Sequence, residues 1–195
     1  MRVYSYIKST KVLGPYSRFV LWVQGCPFSC KFCMTPDSQS FEAGEELSLD
    51  FLLSEILSSD NIEGITLTGG EPFSKAKELV ELLEDLKNRR DLGLIIYTGF
   101  TIKQLKDKKD FYTNKLLEFT DILIDGQYIE SKNDGVSLRG SSNQNIYQLT
   151  NRYKYVFDKY YNKSIREVEI HINNDSTMLV GIPKSRNLLN IKNEV

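Results

Sequence analysis

The stretch "RFVLWVQGCPFSCKFCM" at residues 18–34 joins a run of β-branched and aromatic residues to a loop that holds every cysteine of the chain. The run at 18–25 predicts a buried strand, because it is almost wholly apolar and ends in glycine. The loop then places three thiols within eight residues, at Cys26, Cys30 and Cys33. Closely spaced cysteine thiolates bind Zn²⁺ or iron–sulfur clusters. The sequence therefore predicts a metal-binding loop at the end of a strand.

Short buried strands alternate with amphipathic helices over the next hundred residues. The predicted strands lie at 64–70, 92–100 and 121–126, and the predicted helices at 48–60, 74–90 and 113–121. This alternation indicates right-handed βαβ units and a mainly parallel sheet. The units are too few for an eight-fold barrel, so we predict an α/β fold with a partial (βα) barrel or an open sheet. Ligand sites in such sheets lie at the C-terminal ends of the strands, where the cysteine loop also falls.

The composition is that of one globular domain in a reducing compartment. The chain has 195 residues, of which 41% are hydrophobic and 26% charged, and its formal net charge is −1. That charge gives no general attraction to nucleic acid or anionic lipid, and no apolar run has the length of a signal peptide or membrane span. An odd number of clustered cysteines argues against a disulfide framework. We therefore expect a single domain over residues 1–195, a cytoplasmic location, and neither nucleic acid nor membrane as a partner.

The chain changes character after about residue 150. Residues 151–163 are aromatic and basic, and the ranges 168–172 and 177–182 predict two strands joined by a turn. We expect this C-terminal extension, about 153–195, to pack on the main sheet as an antiparallel strand pair. The sequence assigns it no role.

Three cysteines leave a metal site one protein ligand short of four. A structural Zn²⁺ takes four ligands, and the only histidine, His171, lies far along the chain in a predicted strand, where we expect it to face solvent. A [4Fe–4S] cluster fits better, because three irons take Cys26, Cys30 and Cys33 while the fourth stays open to another ligand. An open coordination position is where a metal site performs chemistry. A catalytic zinc and a non-enzymatic Cys₃ metal-binding module remain as alternatives on these residues alone.

The cysteine loop resembles the CxxxCxφC signature of radical S-adenosylmethionine (SAM) enzymes. In that family the methionyl amino and carboxylate groups of SAM chelate the open iron. One electron from the reduced cluster then breaks a C–S bond of SAM and releases a 5′-deoxyadenosyl radical. The resemblance implies a [4Fe–4S] cluster and SAM as cofactors, and a partial barrel of the radical SAM type. It also places Phe32, the aromatic residue of the signature, near the adenine.

A second motif, "TGGEP" at 68–72, follows a predicted strand. Its glycines allow a ligand to approach the backbone closely at the strand end, and Glu71 offers an acceptor for an ammonium group. By resemblance, Gly69, Gly70 and Glu71 bind the methionyl end of SAM. Taken alone, the motif is equally compatible with a plain strand-to-helix turn.

Further stretches resemble the family of activating enzymes of anaerobic (class III) ribonucleotide reductases. They are "GPYSR" at 14–18, "YTGF" at 97–100, "DGQYIE" at 125–130 and "LRGSSNQ" at 138–144. The resemblance covers residues 12 to about 152. It implies that the enzyme removes a hydrogen atom from a glycine of a large glycyl-radical enzyme, with a flavodoxin-type protein as electron donor.

Four more residues are candidates for the site. Thr98, Gly99 and Asp125 lie at predicted strand ends and are candidates for binding the ribose or carboxylate of SAM, although Asp125 is equally suited to capping a helix or turn. Arg139 is a candidate to pair with the SAM carboxylate or with the partner enzyme. Residues 141–143 either share in function or form a tight turn.

Three departures from the activase pattern bear on the identity of the partner. Tyr16 replaces a glycine, and residues 33–38 are closer to the corresponding segment of pyruvate formate-lyase activases. The third departure is the C-terminal extension, which the resemblance does not reach. These departures leave a second function open, that of a stand-alone radical SAM enzyme that modifies a peptide or a small molecule.

Overall fold

A seven-stranded sheet with helices on one face organises the chain, whose computed structural model describes residues 1–136, 138–158, 166–173 and 176–183. The strands are β1 (Arg2–Thr10), β2 (Arg18–Val23), β3 (Glu45–Glu46), β4 (Gly64–Gly69), β5 (Gly93–Tyr97), β6 (Ile122–Asp125), β7 (Asn145–Gln148), β8 (Val168–Asn173) and β9 (Ser176–Gly181). The helices are α1 (Leu49–Leu57), α2 (Ala76–Lys87), α3 (Ile102–Asp107) and α4 (Phe111–Phe119). Short 3₁₀ turns lie at Pro36–Ser38, Pro72–Lys75 and Glu130–Lys132.

Four parallel strands form the centre of the sheet, in the order β2, β4, β5 and β6. The β2–β4 pairing runs without a break from Arg18 opposite Gly64 to Val23 opposite Gly69. Antiparallel strands cover both edges, with β1 and β3 on the β2 side and β7 beside β6. The described strands do not close the sheet on itself, which confirms the predicted α/β fold with a partial barrel.

The two faces of the sheet have different coverings because side chains alternate across each strand. On β2, Phe19, Leu21 and Val23 face the helices and join the main hydrophobic core. Val20 and Trp22 face the opposite side, which carries none of the helices α1–α4. On the helical side, α2 buries Leu79, Val80, Leu82, Leu83 and Leu86 against the strands. None of the described helices has both the length and the apolar character that a bilayer span requires.

Arg18 ties three central strands together from inside the sheet, where its side chain is fully buried. Its Nη2 donates to the carbonyl oxygens of Ile65 and Gly93, at 2.7 and 2.8 Å. Its Nη1 donates to Glu63 Oε2 at 2.9 Å and to the Tyr153 hydroxyl at 2.7 Å. The arginine of the "GPYSR" stretch is therefore part of the core of the fold.

The C-terminal strands β8 and β9 form a separate two-stranded antiparallel sheet, as predicted. This C-terminal hairpin packs on the face of the main sheet opposite α1–α4, where Val180 is fully buried in a cluster with Val20 and Trp22. His171 is partly exposed and its Nε2 lies 3.0 Å from Glu169 Oε2. Residues 159–165, 174–175 and 184–195 of the predicted extension lie outside the described residues.

Candidate active site

A cavity opens at the C-terminal ends of the parallel strands. Its walls come from the loops that follow β2, β4, β5 and β6, together with part of the C-terminal hairpin. Eight of the residues predicted for the site line it: Cys26, Cys30, Cys33, Gly69, Gly70, Glu71, Thr98 and Gly99. They come together because parallel strands present their C-terminal ends at one edge of the sheet.

The cysteine loop folds back on itself before it enters the cavity wall. The backbone N–H of Cys26 donates to the carbonyl of Gln39 at 3.0 Å, and that of Cys33 donates to the carbonyl of Cys30 at 3.2 Å. All three cysteines are free thiols of intermediate exposure. The loop therefore presents three thiols to one space.

Burial and neighbouring charges raise the thiol pKa values of Cys26 and Cys30. Burial is the main cause that raises the pKa of Cys26 to about 11, and the neighbouring Glu71 carboxyl, Cys33 and Cys30 add to it. Burial also raises the pKa of Cys30, with a further contribution from Cys33. Thiolates held this close together are unfavourable without a cation, and a metal centre binds thiolates as ligands.

The donor set fits a [4Fe–4S] cluster. Among the described residues, no three His, Cys, Asp or Glu side chains are grouped so as to hold a single metal ion. A cluster does not need such convergence, because each of three irons takes one cysteine. Three unpaired thiols in one cavity wall supply those ligands.

The "TGGEP" segment lies directly against the cysteine loop. The backbone N–H of Gly70 donates to the carbonyl of Val23 at 2.8 Å, and that of Glu71 donates to the carbonyl of Gly25 at 2.9 Å. A Cβ on Gly70 would stand 2.4 Å from the Gly25 carbonyl oxygen, closer than any side chain tolerates. Glycine is required at position 70 by this contact between the two loops.

The Glu71 carboxylate joins the loop after β4 to the loop after β5. Its Oε1 accepts hydrogen bonds from the Phe73 N–H at 2.9 Å and the Thr98 hydroxyl at 2.8 Å. Its Oε2 accepts one from the Gly99 N–H at 2.8 Å. Burial raises the pKa of Glu71 to about 7, although these three donors favour the charged form. A carboxylate has about four acceptor positions, so little of its capacity remains for an ammonium group.

Asp125 does not line the cavity. Both oxygens of its carboxylate accept hydrogen bonds within the protein, in the capping role that the sequence left open. Oδ2 accepts a hydrogen bond from the Ile102 N–H at 2.7 Å, at the start of α3. Oδ1 accepts from the backbone and side-chain N–H groups of Asn145, at 3.2 and 3.1 Å. Its carboxylate thus joins β6 to α3 and β7.

Arg139 and Phe32 are also outside the lining of the cavity. The Arg139 guanidinium forms an ion pair with Asp134. Phe32 has a left-handed backbone with φ of 68°, and its ring lies 5.1 Å from Lys31 Nζ. Neither residue lines the cavity with the eight candidates above, and their roles toward SAM stay predictions.

The "RGSSNQ" stretch forms a tight turn packed on the "DGQY" segment. Gln144 Oε1 accepts from the N–H groups of Gly140 and Ser141, at 2.7 and 3.1 Å, and its Nε2 donates to the Gly126 carbonyl at 2.7 Å. The Ser141 hydroxyl accepts from the Ile129 N–H at 3.1 Å. Because Gly140 and Gln144 also line the cavity, the turn shapes its wall.

Two further residues belong to the site although the sequence did not single them out. Phe28 packs its ring over Gly99, where a Cβ would stand 2.5 Å from the ring, and its centroid lies 4.7 Å from that of Phe100. Gln127 Oε1 lies 3.8 Å from Cys30 Sγ. Their positions in the sequence could have identified them, because Phe28 lies inside the cysteine loop and Gln127 lies inside the "DGQY" segment.

Comparison with known proteins agrees with this arrangement. Residues 12–147 match a family model described as a 4Fe-4S single cluster domain. Two proteins named anaerobic ribonucleoside-triphosphate reductase-activating protein, from Pasteurella multocida and Vibrio cholerae, are 33% and 29% identical over 77% of this chain and 99% of their own lengths. A pyruvate formate-lyase-activating enzyme from Staphylococcus aureus is 30% identical over 68% of this chain and 55% of its own length. The chain therefore belongs to the family of the anaerobic ribonucleoside-triphosphate reductase-activating proteins, which are radical SAM enzymes with a [4Fe–4S] cluster.

Proposed function

We propose that this chain is an activase that generates a glycyl radical in an anaerobic ribonucleotide reductase. The observation that carries the proposal is that the three thiols of the cysteine loop and the backbone of the "TGGEP" segment line one cavity. The partner is proposed from the family, since relatives that align over 99% of their lengths are named as activators of that reductase.

The residues of the cavity divide into two proposed roles. Cys26, Cys30 and Cys33 hold three irons of a [4Fe–4S] cluster, and Gly69–Glu71 binds the methionyl end of SAM. When bound, the reduced cluster supplies the electron that cleaves SAM, and that cleavage leads to removal of a hydrogen atom from the target glycine. The protein itself binds and orients the cofactors and shields them from water.

The loop contacts support a fixed orientation for the cofactors. Thr35 Oγ1 donates to the Gly69 carbonyl at 3.2 Å and lies 4.0 Å from Cys33 Sγ, so the cluster loop and the methionyl loop share a contact. Glu71 then connects to Thr98. Reaction at a defined atom of a partner requires such positioning, because a small displacement of the reacting groups lowers the rate steeply.

We also propose that the whole chain is one domain and that a flavodoxin-type protein supplies the electron. The first proposal is supported by Tyr153, whose hydroxyl donates to Glu63 Oε2 at 2.6 Å, and by Val180, which is buried against the main sheet. The second rests on the family alone. Reduction of the reconstituted cluster by flavodoxin, followed at the visible charge-transfer band, tests it.

Electron paramagnetic resonance tests the proposed activity. The protein is reconstituted anaerobically with iron and sulfide, reduced, and mixed with SAM and the anaerobic reductase of the same organism. We expect a glycyl radical doublet, and none from a reductase in which the target glycine is replaced by alanine. Cleavage of SAM without a doublet would contradict the proposal and favour a stand-alone enzyme acting on a peptide or small molecule.

A further inference from the structure

We propose that the segment Leu179–Pro183, at the end of the C-terminal hairpin, is the wall against which the partner's glycine-bearing segment packs. This inference rests on the proposed function and adds to it the residues that select the partner. It gives a role to an extension that the family model does not cover, since that model ends at residue 147.

The first observation is the position of this segment. Leu179, Gly181, Ile182 and Pro183 line the same cavity as the three cysteines. The hairpin packs on the face of the sheet opposite α1–α4, beside the β2 residues Val20 and Trp22. A substrate that enters this cavity therefore meets the hairpin as well as the strand-end loops.

One buried apolar cluster and two hydrogen bonds to Glu169 hold the wall in place. Val180 is fully buried in a cluster with Leu13 and Trp22. Glu169 accepts hydrogen bonds from the Thr10 hydroxyl at 2.5 Å and the Lys11 N–H at 3.0 Å. A wall fixed before binding loses little conformational freedom when a partner docks, which favours affinity.

Arg166 fixes the wall to the "RGSSNQ" turn, a neighbouring part of the cavity lining. Its guanidinium is 2% exposed and donates to the carbonyls of Val136 at 2.9 Å, Gly140 at 3.2 Å and Pro183 at 3.4 Å. Gly140 belongs to the "RGSSNQ" turn and Pro183 to the wall. One buried side chain thus joins two segments of the cavity lining.

The chemistry of the wall fits a polypeptide better than it fits SAM. The lining near the cysteines includes polar residues such as Thr35, Thr68 and Gln39, which suit a sulfonium nucleotide, because its amine, carboxylate and ribose need polar partners. Leu179, Ile182 and Pro183 offer only aliphatic side chains, and they lie beside the apolar surfaces of Leu13 and Trp22. A glycine has no side chain, so an extended segment centred on it can pass close to apolar surfaces such as these.

The test uses the full chain with its cluster and two variants of the wall, Leu179→Ala and Ile182→Ala. The matched control is Ile172→Ala, on the same hairpin but 77% exposed. Two quantities are measured: SAM cleavage without a partner, and glycyl radical formation against reductase concentration. We expect the reductase concentration for half-maximal radical formation to rise about tenfold in each wall variant. The rate of SAM cleavage without reductase should stay within about twofold of the wild-type rate, and Ile172→Ala should match wild type in both measurements.

Tryptophan fluorescence shows whether the hairpin stays seated in the variants. Trp22 is the only tryptophan and packs in the cluster that contains Val180, so displacement of the hairpin would shift its emission. Variants with wild-type emission and unchanged dependence on reductase would overturn the inference, and so would an equal loss of SAM cleavage, which would assign the wall to the cofactor. Failure of the wild-type protein to form a glycyl radical would instead refute the proposed function itself, and this inference with it.

Discussion

Glu71 and Thr98 are joined by a hydrogen bond of 2.8 Å from the threonine hydroxyl to Oε1 of the buried carboxylate. A second bond, from the Gly99 N–H to Oε2 at 2.8 Å, runs between the same two loops. Because Glu71 is fully buried, water does not compete for these bonds, and each contributes more than it would at the surface. The two loops are therefore positioned as one unit.

Replacing Thr98 with valine should separate these loops. Thr98→Val keeps the shape but removes a donor to the Glu71 carboxylate and an acceptor for the Phe100 N–H. We expect the free energy of unfolding to fall by about 1–3 kcal/mol, because the buried Glu71 carboxyl loses a donor and the Phe100 N–H loses its acceptor. SAM affinity, measured by calorimetry on the reconstituted protein, should fall as well. Thr98→Ser keeps the hydroxyl and should behave almost as wild type, and equal losses in both variants would contradict this reading.

The Glu71 carboxyl should make stability depend on pH. Burial raises its pKa from an ordinary value of 4.5 to about 7 in the folded protein. The folded protein then keeps this proton at pH values where the unfolded chain has lost it, so the contribution to stability is complete below the unfolded pKa and is lost as pH rises through the folded pKa. Relative to Glu71→Gln, we expect the free energy of unfolding of the wild type to fall by up to about 3 kcal/mol between about pH 5 and pH 8.

Urea unfolding of the two proteins across this range gives the comparison. Glutamine cannot accept the Gly99 N–H with its amide nitrogen, so a constant offset between the two curves is expected. The prediction concerns the slope: the free energy of unfolding of the wild type should fall with rising pH relative to that of Glu71→Gln. Curves that stay parallel from acid to neutral pH would show that the hydrogen bonds keep Glu71 ionised throughout.

The central sheet could be predicted from sequence because its strands are continuous apolar runs. Runs such as Gly64–Gly69 and Ile122–Asp125 are buried on both faces of the sheet. They can therefore be recognised from their own apolar residues, without knowledge of the strands that pair with them. The edge strands leave no such signal. Arg2–Thr10 mixes charged, polar and apolar residues, and Asn145–Gln148 has a polar residue at each end, so both are defined by pairing with another strand and not by a local pattern.

The site could be predicted as a set of loops but not as a set of contacts. The order of strands and motifs indicated that Cys26 and Glu71 lie at one edge, and they do. The use of each side chain depends on packing that no local pattern encodes. Asp125 caps α3 and pairs with Asn145, and Arg139 pairs with Asp134. A motif match placed these residues near the site, whereas the tertiary structure decides what their polar atoms bind.

Arg18 should be among the residues most important for stability. Arg18→Leu would remove a buried charged donor from the carbonyls of Ile65 and Gly93 and from the Glu63 carboxylate, which keeps its bonds from Arg152 and Tyr153. We expect the free energy of unfolding to fall by about 3–5 kcal/mol, the usual cost of breaking a buried ion pair from one side.

Arg152 provides the matched control for Arg18, because it binds the other oxygen of the same carboxylate from a more exposed position. Its Nε donates to Glu63 Oε1 at 3.1 Å, and its side chain is 29% exposed. Arg152→Leu should lower the free energy of unfolding by about 1 kcal/mol or less, since partly solvated ion pairs contribute little. Urea denaturation measures both variants, and equal effects at the two positions would show that burial of Arg18 does not set its importance.

Cys30 should be essential for binding of the cluster, whereas the adjacent Ser29 should not. Cys30→Ser replaces a thiolate ligand by a hydroxyl, a much weaker ligand for iron, and leaves the fold otherwise unchanged because the side chain is only partly buried. We expect the variant to take up less than about a tenth of the wild-type iron and sulfide as a four-iron cluster, and to lose SAM cleavage together with it. Ser29→Ala changes an exposed residue of the same loop and should keep both. Iron and sulfide analysis with visible absorbance follows the cluster, and chromatography of the nucleoside product follows the reaction. A complete cluster in Cys30→Ser would show that Cys30 is not a ligand, and would contradict the assignment of the three cysteines of this loop as the ligands of the cluster.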